Sequence, residues 1–472
     1  MSPESRLTIV GAGLAGPLAA LLLARRGWRV TVFERRGDPR GGGFAGGRSI
    51  NLALAARGLR ALAAAGLEEA VQPLLIPMRG RMIHAPDGAT ELLPYGRRPE
   101  EIIHSVSREG LNRLLIDAAA ATGRVEFRFD SASSNFDPAG ETLSVGTAGQ
   151  HERLPLHGPL IGADGAGSAL RHALVKRGVI AAREIMLDHA YKELSIPPGG
   201  KAAHRLEREA LHIWPRGGYM LIALPNTDGS FTVTLFLARE GEPGFASLSS
   251  REAVDEFFAG EFPDAHALMP RLSDEFFANP TGALGTVYAE PWHAAGKVLL
   301  IGDAAHAIVP FHGQGMNAAF EDCRLLAERL APDADVAGVF AGFSRARKPD
   351  ADALARMALE NYVEMRDSVR DPGFALGKEL GFELERRQPD RFVPRYSMVM
   401  FRHLSYAEAE RLGAIQHDLL IRFTTGKFRL ADVNVDAAER EVSASLLPLP
   451  PGEGNPDHKP IPNNPHRSSG RI

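Results

Sequence analysis

The 472-residue chain contains a single cysteine, Cys323, and no long apolar run. One thiol excludes an internal disulfide and a cluster of thiolate metal ligands, and it suits a reducing compartment. No stretch approaches the roughly 18 uninterrupted apolar residues of a membrane-spanning helix. We therefore expect no disulfide framework, no metal site and no membrane anchor.

An excess of charge of one sign is also missing. The 58 acidic and 54 basic residues leave a formal net charge of −4, and no basic block indicates a nucleic-acid partner. The chain does not begin with the basic and apolar segments of a signal peptide. These absences favour a soluble cytoplasmic protein, and they leave its oligomeric state open.

The first positive signal is the segment LTIVGAGLAGPLAALLLARRGWRVTVFERR. Residues 7–10 are typical of a buried strand, residues 15–26 of a helix that is apolar on all sides, and residues 29–33 of a second strand. Between the first strand and the helix lie the glycines of a GxGxxG pattern, Gly11, Gly13 and Gly16. Such glycines let the backbone approach a pyrophosphate, whose charge the helix N-terminus favours. Strand, glycines, helix and strand in this order predict a dinucleotide site.

An acid completes this motif. Glu34 follows the second strand and is placed to accept the hydroxyl groups of an adenosine ribose. The neighbouring Arg35 and Arg36 could tolerate the 2′-phosphate of NADP, so this segment alone does not decide which dinucleotide binds.

Two further apolar strands end in an acid, at Asp164-Gly165 and at Gly302-Asp303. Each could be an ordinary strand followed by a turn. Ligands of α/β sheets bind at such strand ends, however, and the chain has no second GxGxxG unit. The three strand ends together therefore favour one FAD held along its whole length.

The stretch LLIGDAAHAIVPFHGQGMNAAFED, residues 299–322, fits the flavin end of that site. Asp303 can bind ribityl hydroxyls, and Gly313 and Gly315 let the chain pass close to a flat ring. A helix that begins near Met316 and Asn317 would place its positive end against the reduced flavin. Its predicted apolar face consists of Met316, Phe320, Cys323 and Leu330.

At this point the chain resembles the single-component FAD-dependent aromatic hydroxylases, and among them the kynurenine hydroxylases. The resemblance runs from about residue 6 to about residue 445. Besides the glycine and acid motifs, the segments that carry it are GRSINLAL (47–54), IPMRGRMIH (76–84), SVSREGLNRLL (105–115), YKELSIPP (191–198), LHIWPRGGYMLIALPN (211–226), FTVTLF (231–236), ENYVEMR (360–366) and RYSMVMF (395–401).

The predicted fold class is α/β, with a Rossmann-like FAD-binding domain, an antiparallel β-sheet substrate domain and a C-terminal helical region. Alternating apolar residues and the NTDG turn predict the antiparallel strands. The three strand ends must converge on one ligand, so we predict a discontinuous FAD-binding domain. The predicted boundaries are 1–70, 98–180 and 285–340 for FAD, 71–97 and 181–284 for substrate, 341–445 for the helical region and 446–472 for a disordered tail.

The resemblance implies L-kynurenine as substrate, an aniline ring with an amino-acid tail. Arg81 would pair with the carboxylate through a charge-assisted hydrogen bond, and Tyr95, Asn361 and Tyr396 would bind the same tail. The ring slot would be lined by Phe236 and by aliphatic side chains on alternating strand positions, namely Leu211, Met220, Ile222 and Leu224. Further substrate contacts implied by the resemblance are Phe311, His312, Glu364 and Met365. His312 stands where related proteins can have an aromatic residue, which leaves selectivity among kynurenine analogues open.

The resemblance also implies the chemistry, which belongs mainly to the cofactor. NADPH would dock transiently and reduce FAD, and oxygen would form a flavin C4a-hydroperoxide that hydroxylates ring carbon 3. This is a step of tryptophan degradation by the kynurenine pathway. The amine already activates the ring, so no protein residue is assigned as general base. Further FAD contacts implied by the resemblance are Ala15, Arg36, Ala53 and Arg108.

Two other interpretations stay open on the sequence. The chain could be a related FAD-dependent hydroxylase of another aromatic amine or acid, or a flavoprotein that senses an aromatic ligand without turnover. Substrate-stimulated NADPH oxidation and product mass distinguish all three.

Overall fold

The computed structural model describes residues 5–41, 51–96, 98–137, 141–147, 150–367 and 372–449. Most of the tail predicted to be disordered, residues 450–472, lies outside the described residues. Before it, Leu446 is buried, and the backbone N–H of Leu449 donates to the carbonyl of Asp390 at 2.6 Å. Residues 446–449 are thus packed against the helices that precede them.

The strands of the described residues follow the chain from residue 6 to residue 300. In chain order they are β1 (Arg6–Val10), β2 (Arg29–Phe33), β3 (Asn51–Leu54), β4 (Leu75–Met78), β5 (Gly80–His84), β6 (Thr90–Pro94), β7 (Ile103–Ser107), β8 (Val125–Arg128), β9 (Ala132–Asp137), β10 (Thr142–Thr147), β11 (Gln150–Pro155), β12 (Leu160–Gly162), β13 (Ala181–Ile196), β14 (Ala210–Pro215), β15 (Met220–Pro225), β16 (Phe231–Ala238), β17 (Thr281–Glu290), β18 (His293–Ala294) and β19 (Val298–Leu300).

The helices become dominant after residue 300. In chain order the described α-helices are α1 (Ala15–Arg25), α2 (Ala56–Ala64), α3 (Glu68–Val71), α4 (Arg108–Ala120), α5 (Ala169–Lys176), α6 (Arg251–Glu261), α7 (Pro263–His266), α8 (Leu272–Ala278), α9 (Asp303–His306), α10 (Gly315–Arg329), α11 (Val336–Asp367), α12 (Pro372–Arg387), α13 (Arg395–Phe401), α14 (Tyr406–Thr424) and α15 (Val435–Ser445). No helix of the described residues is long and apolar enough to cross a lipid bilayer.

A six-stranded sheet in the order β18-β19-β12-β1-β2-β8 forms the first layer. Every neighbouring pair is parallel except β18 and β19. The carboxyl ends of β1, β2, β12 and β19 therefore lie along one edge, where parallel sheets bind ligands. Helix α1 packs beside this sheet with nearly its whole surface buried, as its apolar sequence predicts. The Rossmann-like part of the fold prediction is confirmed.

A seven-stranded sheet in the order β17-β13-β16-β15-β14-β5-β6 forms the second large layer. All its pairs are antiparallel except β14 with β5. This confirms the predicted antiparallel sheet, into which residues 80–84 are inserted. Two smaller sheets, β3-β7-β4 and β11-β10-β9, complete the β-structure of the described residues.

Strand pairing divides the seven-stranded sheet into two faces. On the back face, side chains such as Trp214, Leu221 and Leu235 form a core with Phe258 and Phe262, which belong to or border α6. On the opposite face, here called the site face, paired positions share one side of the pleat. The side chains of the site face used below are Arg81, Leu211, Met220, Ile222, Leu224, Phe236, Tyr191 and Glu193.

The chain after residue 336 forms the predicted helical region. Helices α11 to α15 share an apolar core, which includes Leu354, Leu380, Met398 and Tyr406. Helix α13 brings Tyr396 to the site face, where the Tyr396 ring borders a core cluster with Leu224 and Met400. The helical region therefore covers one end of the site face.

Candidate functional site

The glycine turn after β1 has two kinds of glycine. Gly11 has φ +102°, and a Cβ on it would collide with Ala163, whereas a Cβ on Gly16 would collide with the Gly11 carbonyl. The chain itself therefore requires these two glycines. A Cβ on Gly13, in contrast, would meet nothing within 4 Å. Gly13 faces open space at the start of α1, as a residue does when a ligand passes close to the backbone.

Two side chains hold this turn in place. The Asn112 Nδ2 donates to the carbonyls of Ala12 at 3.0 Å and Gly13 at 2.8 Å. From the other side, Glu34 Oε2 accepts the Ala12 backbone N–H at 2.7 Å. Sequence reasoning missed Asn112, although it lies in the quoted segment SREGLN. Its only signal was its place one helical turn after Arg108.

Glu34 also shapes the turn that follows it. Its Oε1 accepts from the backbone N–H and from Nε of Arg36, at 3.1 and 2.9 Å. A carboxylate offers about four acceptor positions, so these contacts leave capacity for ribose hydroxyls. The side chain of Arg36 is 37% exposed. The ribose and FAD contacts of Glu34 and Arg36 remain predictions.

The other two strand-end acids differ in their surroundings. Asp164 accepts from Ser168 Oγ at 2.6 Å and from the Leu170 N–H at 3.2 Å, so its carboxylate caps the start of α5. Burial raises the pKa of Asp164, and these hydrogen bonds oppose that shift. Asp303 is exposed at the start of α9, and it forms no hydrogen bond or ion pair with another described residue. Asp303 therefore has its whole carboxylate available to a ligand, whereas Asp164 shares its carboxylate with the start of α5, and both cofactor contacts remain predictions.

The start of α10 is built around Asn317, which is fully buried. Its Oδ1 accepts the Ala55 N–H at 2.9 Å, and its Nδ2 donates to the carbonyls of Ala53 and Gly313, both at 2.9 Å. Asn317 thus ties β3 to the turn that contains Gly313. Its side chain is used within the protein, so a ligand would meet the backbone at the start of α10.

Other predicted cofactor residues surround the same edge. Ala15 begins α1, and Ala53 lies in β3 beside the Gly313 turn. Gly315 opens α10 within reach of Asp303, since a Cβ on Gly315 would lie 3.9 Å from the Asp303 Oδ1. Met316 is partly buried against the apolar core that packs on the six-stranded sheet.

Arg108 begins α4 and points its charge toward the site face. It forms no hydrogen bond or ion pair with any other described residue, and it lies within electrostatic range of Tyr191 and Glu193. Burial raises the pKa of Glu193 to about 7, against the effect of Arg108. Sequence reasoning missed Glu193, although it stands two positions after Tyr191 in the quoted YKELS segment and so shares its face.

Stacked rings and one guanidinium form the polar end of the site at the site face. Tyr396 lies between Tyr95 and His312, with ring centroids 5.7 and 5.6 Å away and interplanar angles of 13° and 12°. The Arg81 Cζ lies 4.6 Å from the Tyr396 ring centroid and 5.7 Å from that of Tyr95. Burial lowers the pKa of His312 to about 4, so this ring is neutral at pH 7.

Three polar side-chain atoms at this end are buried without a hydrogen bond in the described structure. They are the Arg81 Nε, the Tyr95 hydroxyl and the His312 Nδ1. The Arg81 guanidinium also interacts electrostatically with the phenols of Tyr95 and Tyr396. Buried polar groups are rarely left unpaired, and each such group costs about 1 to 3 kcal/mol. Two neighbouring unpaired donors, one of them on a cation, are the arrangement that a carboxylate would satisfy.

The apolar end adjoins the polar end along the site face. Phe311 stacks on Tyr362 with centroids 4.1 Å apart, and the Phe236 ring lies 4.9 Å from Phe311. Met220 belongs to the same cluster. Leu211 and Ile222 border both this cluster and the one that contains Tyr95 and Leu224. The structure therefore brings the predicted ring-slot residues together beside Arg81.

Helix α11 carries three predicted substrate contacts, Asn361, Glu364 and Met365, and each has a different environment. Asn361 is buried, and its Nδ2 donates to the Phe311 carbonyl at 2.6 Å. Glu364 lies within electrostatic range of Arg81. The side chain of Met365 lies outside the described part of the structure. Asn361 thus fixes the turn that carries Phe311 and His312.

Comparison with known proteins gives one family and one fold. Residues 4–339 match the model of a family described as FAD binding domain. The chain is 50% identical over 441 residues to kynurenine 3-monooxygenase of Stenotrophomonas maltophilia (strain K279a), covering 93% of this chain and 97% of the relative. It is also 50% identical over 452 residues to kynurenine 3-monooxygenase of Xanthomonas axonopodis pv. citri (strain 306), covering 95% and 99%.

Among solved structures the similarity is one of fold. A tetrameric form of 2-methyl-3-hydroxypyridine-5-carboxylic acid oxygenase aligns with a TM-score of 0.64 at 21% identity, over 81% of this chain and 98% of that one. PqsL of Pseudomonas aeruginosa, in complex with 2-aminobenzoylacetate, aligns with a TM-score of 0.63 at 21% identity, over 79% and 100%.

Proposed function

Because the chain belongs to the kynurenine 3-monooxygenase family of FAD-dependent enzymes, we propose that it hydroxylates L-kynurenine to 3-hydroxy-L-kynurenine with NADPH and O2. The observation that carries the substrate assignment is the pair of unpaired buried donors, Arg81 Nε and the Tyr95 hydroxyl, beside an apolar aromatic slot. The lone cysteine and the use of NADPH suit the reducing cytoplasm, where we propose that the reaction occurs.

The residues of the strand-end edge fit FAD. The open space at Gly13 suits the pyrophosphate, and the free carboxylate of Asp303 suits ribityl hydroxyls. Arg108, which forms no hydrogen bond with another described residue, offers a cation to the same ligand. When bound, FAD supplies the chemistry that takes electrons from NADPH and activates oxygen. The protein itself would bind the cofactor and the substrate and fix their relative positions.

Arg81 and its neighbours would orient the substrate. A guanidinium and a phenol donating to one carboxylate give a charge-assisted contact whose direction is fixed. Burial raises the pKa of Tyr95 well above its ordinary value, so the phenol keeps its proton and donates. Glu364, near Arg81, would be placed to attract the α-ammonium of the same amino-acid tail.

The apolar slot would place the aniline ring and exclude water. Phe236, Phe311 and Met220 are at most 7% exposed, so a ring among them contacts no bulk solvent. The aniline amine donates electrons to its ortho carbons, and for this reason we assign no protein base to activate the ring. Positioning alone can supply a large part of the rate.

The decisive test is NADPH oxidation by the FAD-loaded enzyme with and without L-kynurenine, with product mass measured in the same reaction. We expect stimulation by kynurenine and a product heavier by one oxygen atom. Stronger stimulation by another aromatic amine or acid would assign the enzyme to a related hydroxylation. Binding of kynurenine with no consumption of NADPH or oxygen would indicate a sensor.

A further inference from the structure

A buried cluster of charged residues lies directly behind the Gly302-Asp303 turn. Its centre is Asp322 of α10, which is fully buried. The Asp322 Oδ2 accepts the Gly302 backbone N–H at 3.1 Å and lies 2.6 Å from His306 Nε2. One carboxylate oxygen therefore holds both ends of the short helix α9, which begins with Asp303.

The turn needs such an anchor because its backbone is unusual. Gly302 has φ +55° and ψ −143°, a conformation that side-chain-bearing residues rarely adopt. A Cβ on Gly302 would also lie 3.0 Å from the Ala319 Cβ, so α10 packs closely against the turn. The direction of the Asp303 side chain depends on the backbone conformation of Gly302. The Asp322 carboxylate stabilises that conformation, because it accepts the Gly302 N–H.

Asp322 is in turn fixed by Arg347 of α11. The Arg347 Nε donates to Asp322 Oδ1 at 2.9 Å, and the same guanidinium contacts Glu321 at 2.9 Å and Asp350 at 3.1 Å. Burial opposes the ionisation of Asp322, but His306 and Arg347 together hold its pKa below the ordinary value. The Asp322 carboxylate is therefore charged, oriented and closed to solvent.

We propose that Asp322 is a positioning residue of the cofactor site: it fixes the turn at Gly302 so that the Asp303 carboxylate faces FAD, and Arg347 holds Asp322 in place. This inference rests on the proposed role of Asp303 as a ligand of FAD. It goes beyond that role, because it assigns part of the cofactor affinity to a residue that the cofactor does not touch. It also connects helix α11, which carries Asn361, to the cofactor edge.

A double-mutant cycle tests the proposal with FAD affinity as its readout. The dissociation constant of FAD is measured by flavin fluorescence on the apoproteins of the parent, Asp303→Ala, Asp322→Asn and the double variant. We expect Asp322→Asn to weaken FAD binding by about tenfold or more, the scale of one charged hydrogen bond. In the Asp303→Ala background the same change should weaken binding by no more than about twofold, because its effect passes through Asp303.

Asp350→Asn is the matched control. It removes another buried carboxylate that contacts Arg347, yet Asp350 has no hydrogen bond to the 302–306 turn in the described structure. We expect its effect on FAD affinity to be small and equal in both backgrounds. The thermal midpoint of each apoprotein separates loss of fold from loss of affinity.

Two results would overturn the inference. If Asp322→Asn weakens FAD binding equally with and without Asp303, its role is general stabilisation, and the assignment of Asp303 survives. If Asp303→Ala alone leaves FAD affinity unchanged, the proposed ligand role of Asp303 is wrong and the positioning role is wrong with it. Should Asp322→Asn not fold, Arg347→Lys takes its place in the cycle and is judged by the same criterion.

Discussion

Replacing Arg81 by alanine tests the substrate assignment most directly. Arg81 stands on β5 at the site face, its guanidinium rests on the Tyr396 ring, and its Nε is buried without a partner. Removing one partner of a buried, hydrogen-bonded charge pair costs about 2 to 5 kcal/mol, which is roughly 30-fold to several thousand-fold in affinity. We expect the dissociation constant of L-kynurenine to rise within that range, while the protein keeps its fold and its yellow FAD.

The assay is a titration of the FAD-loaded protein with L-kynurenine, followed by flavin absorbance and by stimulated NADPH oxidation. Arg79→Ala is the matched control, because the Arg79 side chain is 55% exposed and pairs with Glu209. It should bind kynurenine like the parent. A kynurenine analogue without the carboxylate should bind parent and Arg81→Ala with similar affinity. If Arg81→Ala bound kynurenine within about twofold of the parent, a difference of only about 0.4 kcal/mol, the carboxylate would have to be held elsewhere.

Two further predictions concern the cofactor edge, and a third concerns Glu193 on the site face. Gly13→Val should fold but purify without FAD, because its side chain would fill the open space beside α1. The control Gly260→Val, on the exposed side of α6, should retain FAD and stay yellow. Stoichiometric FAD in purified Gly13→Val would show that the cofactor site is misplaced. Asn112→Leu should weaken FAD binding by roughly 1 to 3 kcal/mol in a fluorescence titration, since the glycine turn loses two hydrogen bonds, and an unchanged dissociation constant would contradict that role. Glu193 has a folded pKa of about 7, above its unfolded value, so its stabilising contribution is complete at low pH and is lost as pH rises to 7. Glu193→Gln should therefore gain stability over the parent between pH 5 and pH 8 in denaturant titrations, and a pH-independent difference would refute the shift.

The local elements of the cofactor edge could be predicted from sequence almost residue by residue. A strand over 7–10, a helix over 15–26 and a strand over 29–33 were expected, and β1, α1 and β2 begin and end within one residue of these bounds. Apolar runs and glycines determine such elements from nearby residues alone. Of the apolar face predicted for α10, Phe320 and Cys323 are buried, Met316 is partly buried, and Leu330 is buried directly after the last helical residue.

Contacts between distant segments could not be predicted in this way. Strand β5 pairs in parallel with β14, about 130 residues later, and nothing in either segment indicates that pairing. Arg81 was therefore placed at the site by resemblance and not by pattern. The same limit applies to hydrogen-bond partners: the pattern that selects Asn317 and Asp164 cannot say that their side chains bind the protein's own backbone.

The two faces of the seven-stranded sheet have a consequence for redesign. Along β15, Met220, Ile222 and Leu224 lie on the site face, while Leu221 and Ala223 belong to the core on the back face. Successive residues of β15 are therefore constrained differently. The first set is constrained by the shape of the ligand, and the second set by the packing of the core. A combinatorial library restricted to the first set could therefore vary the site for bulkier or smaller aromatic substrates and leave the packing of the back face unchanged.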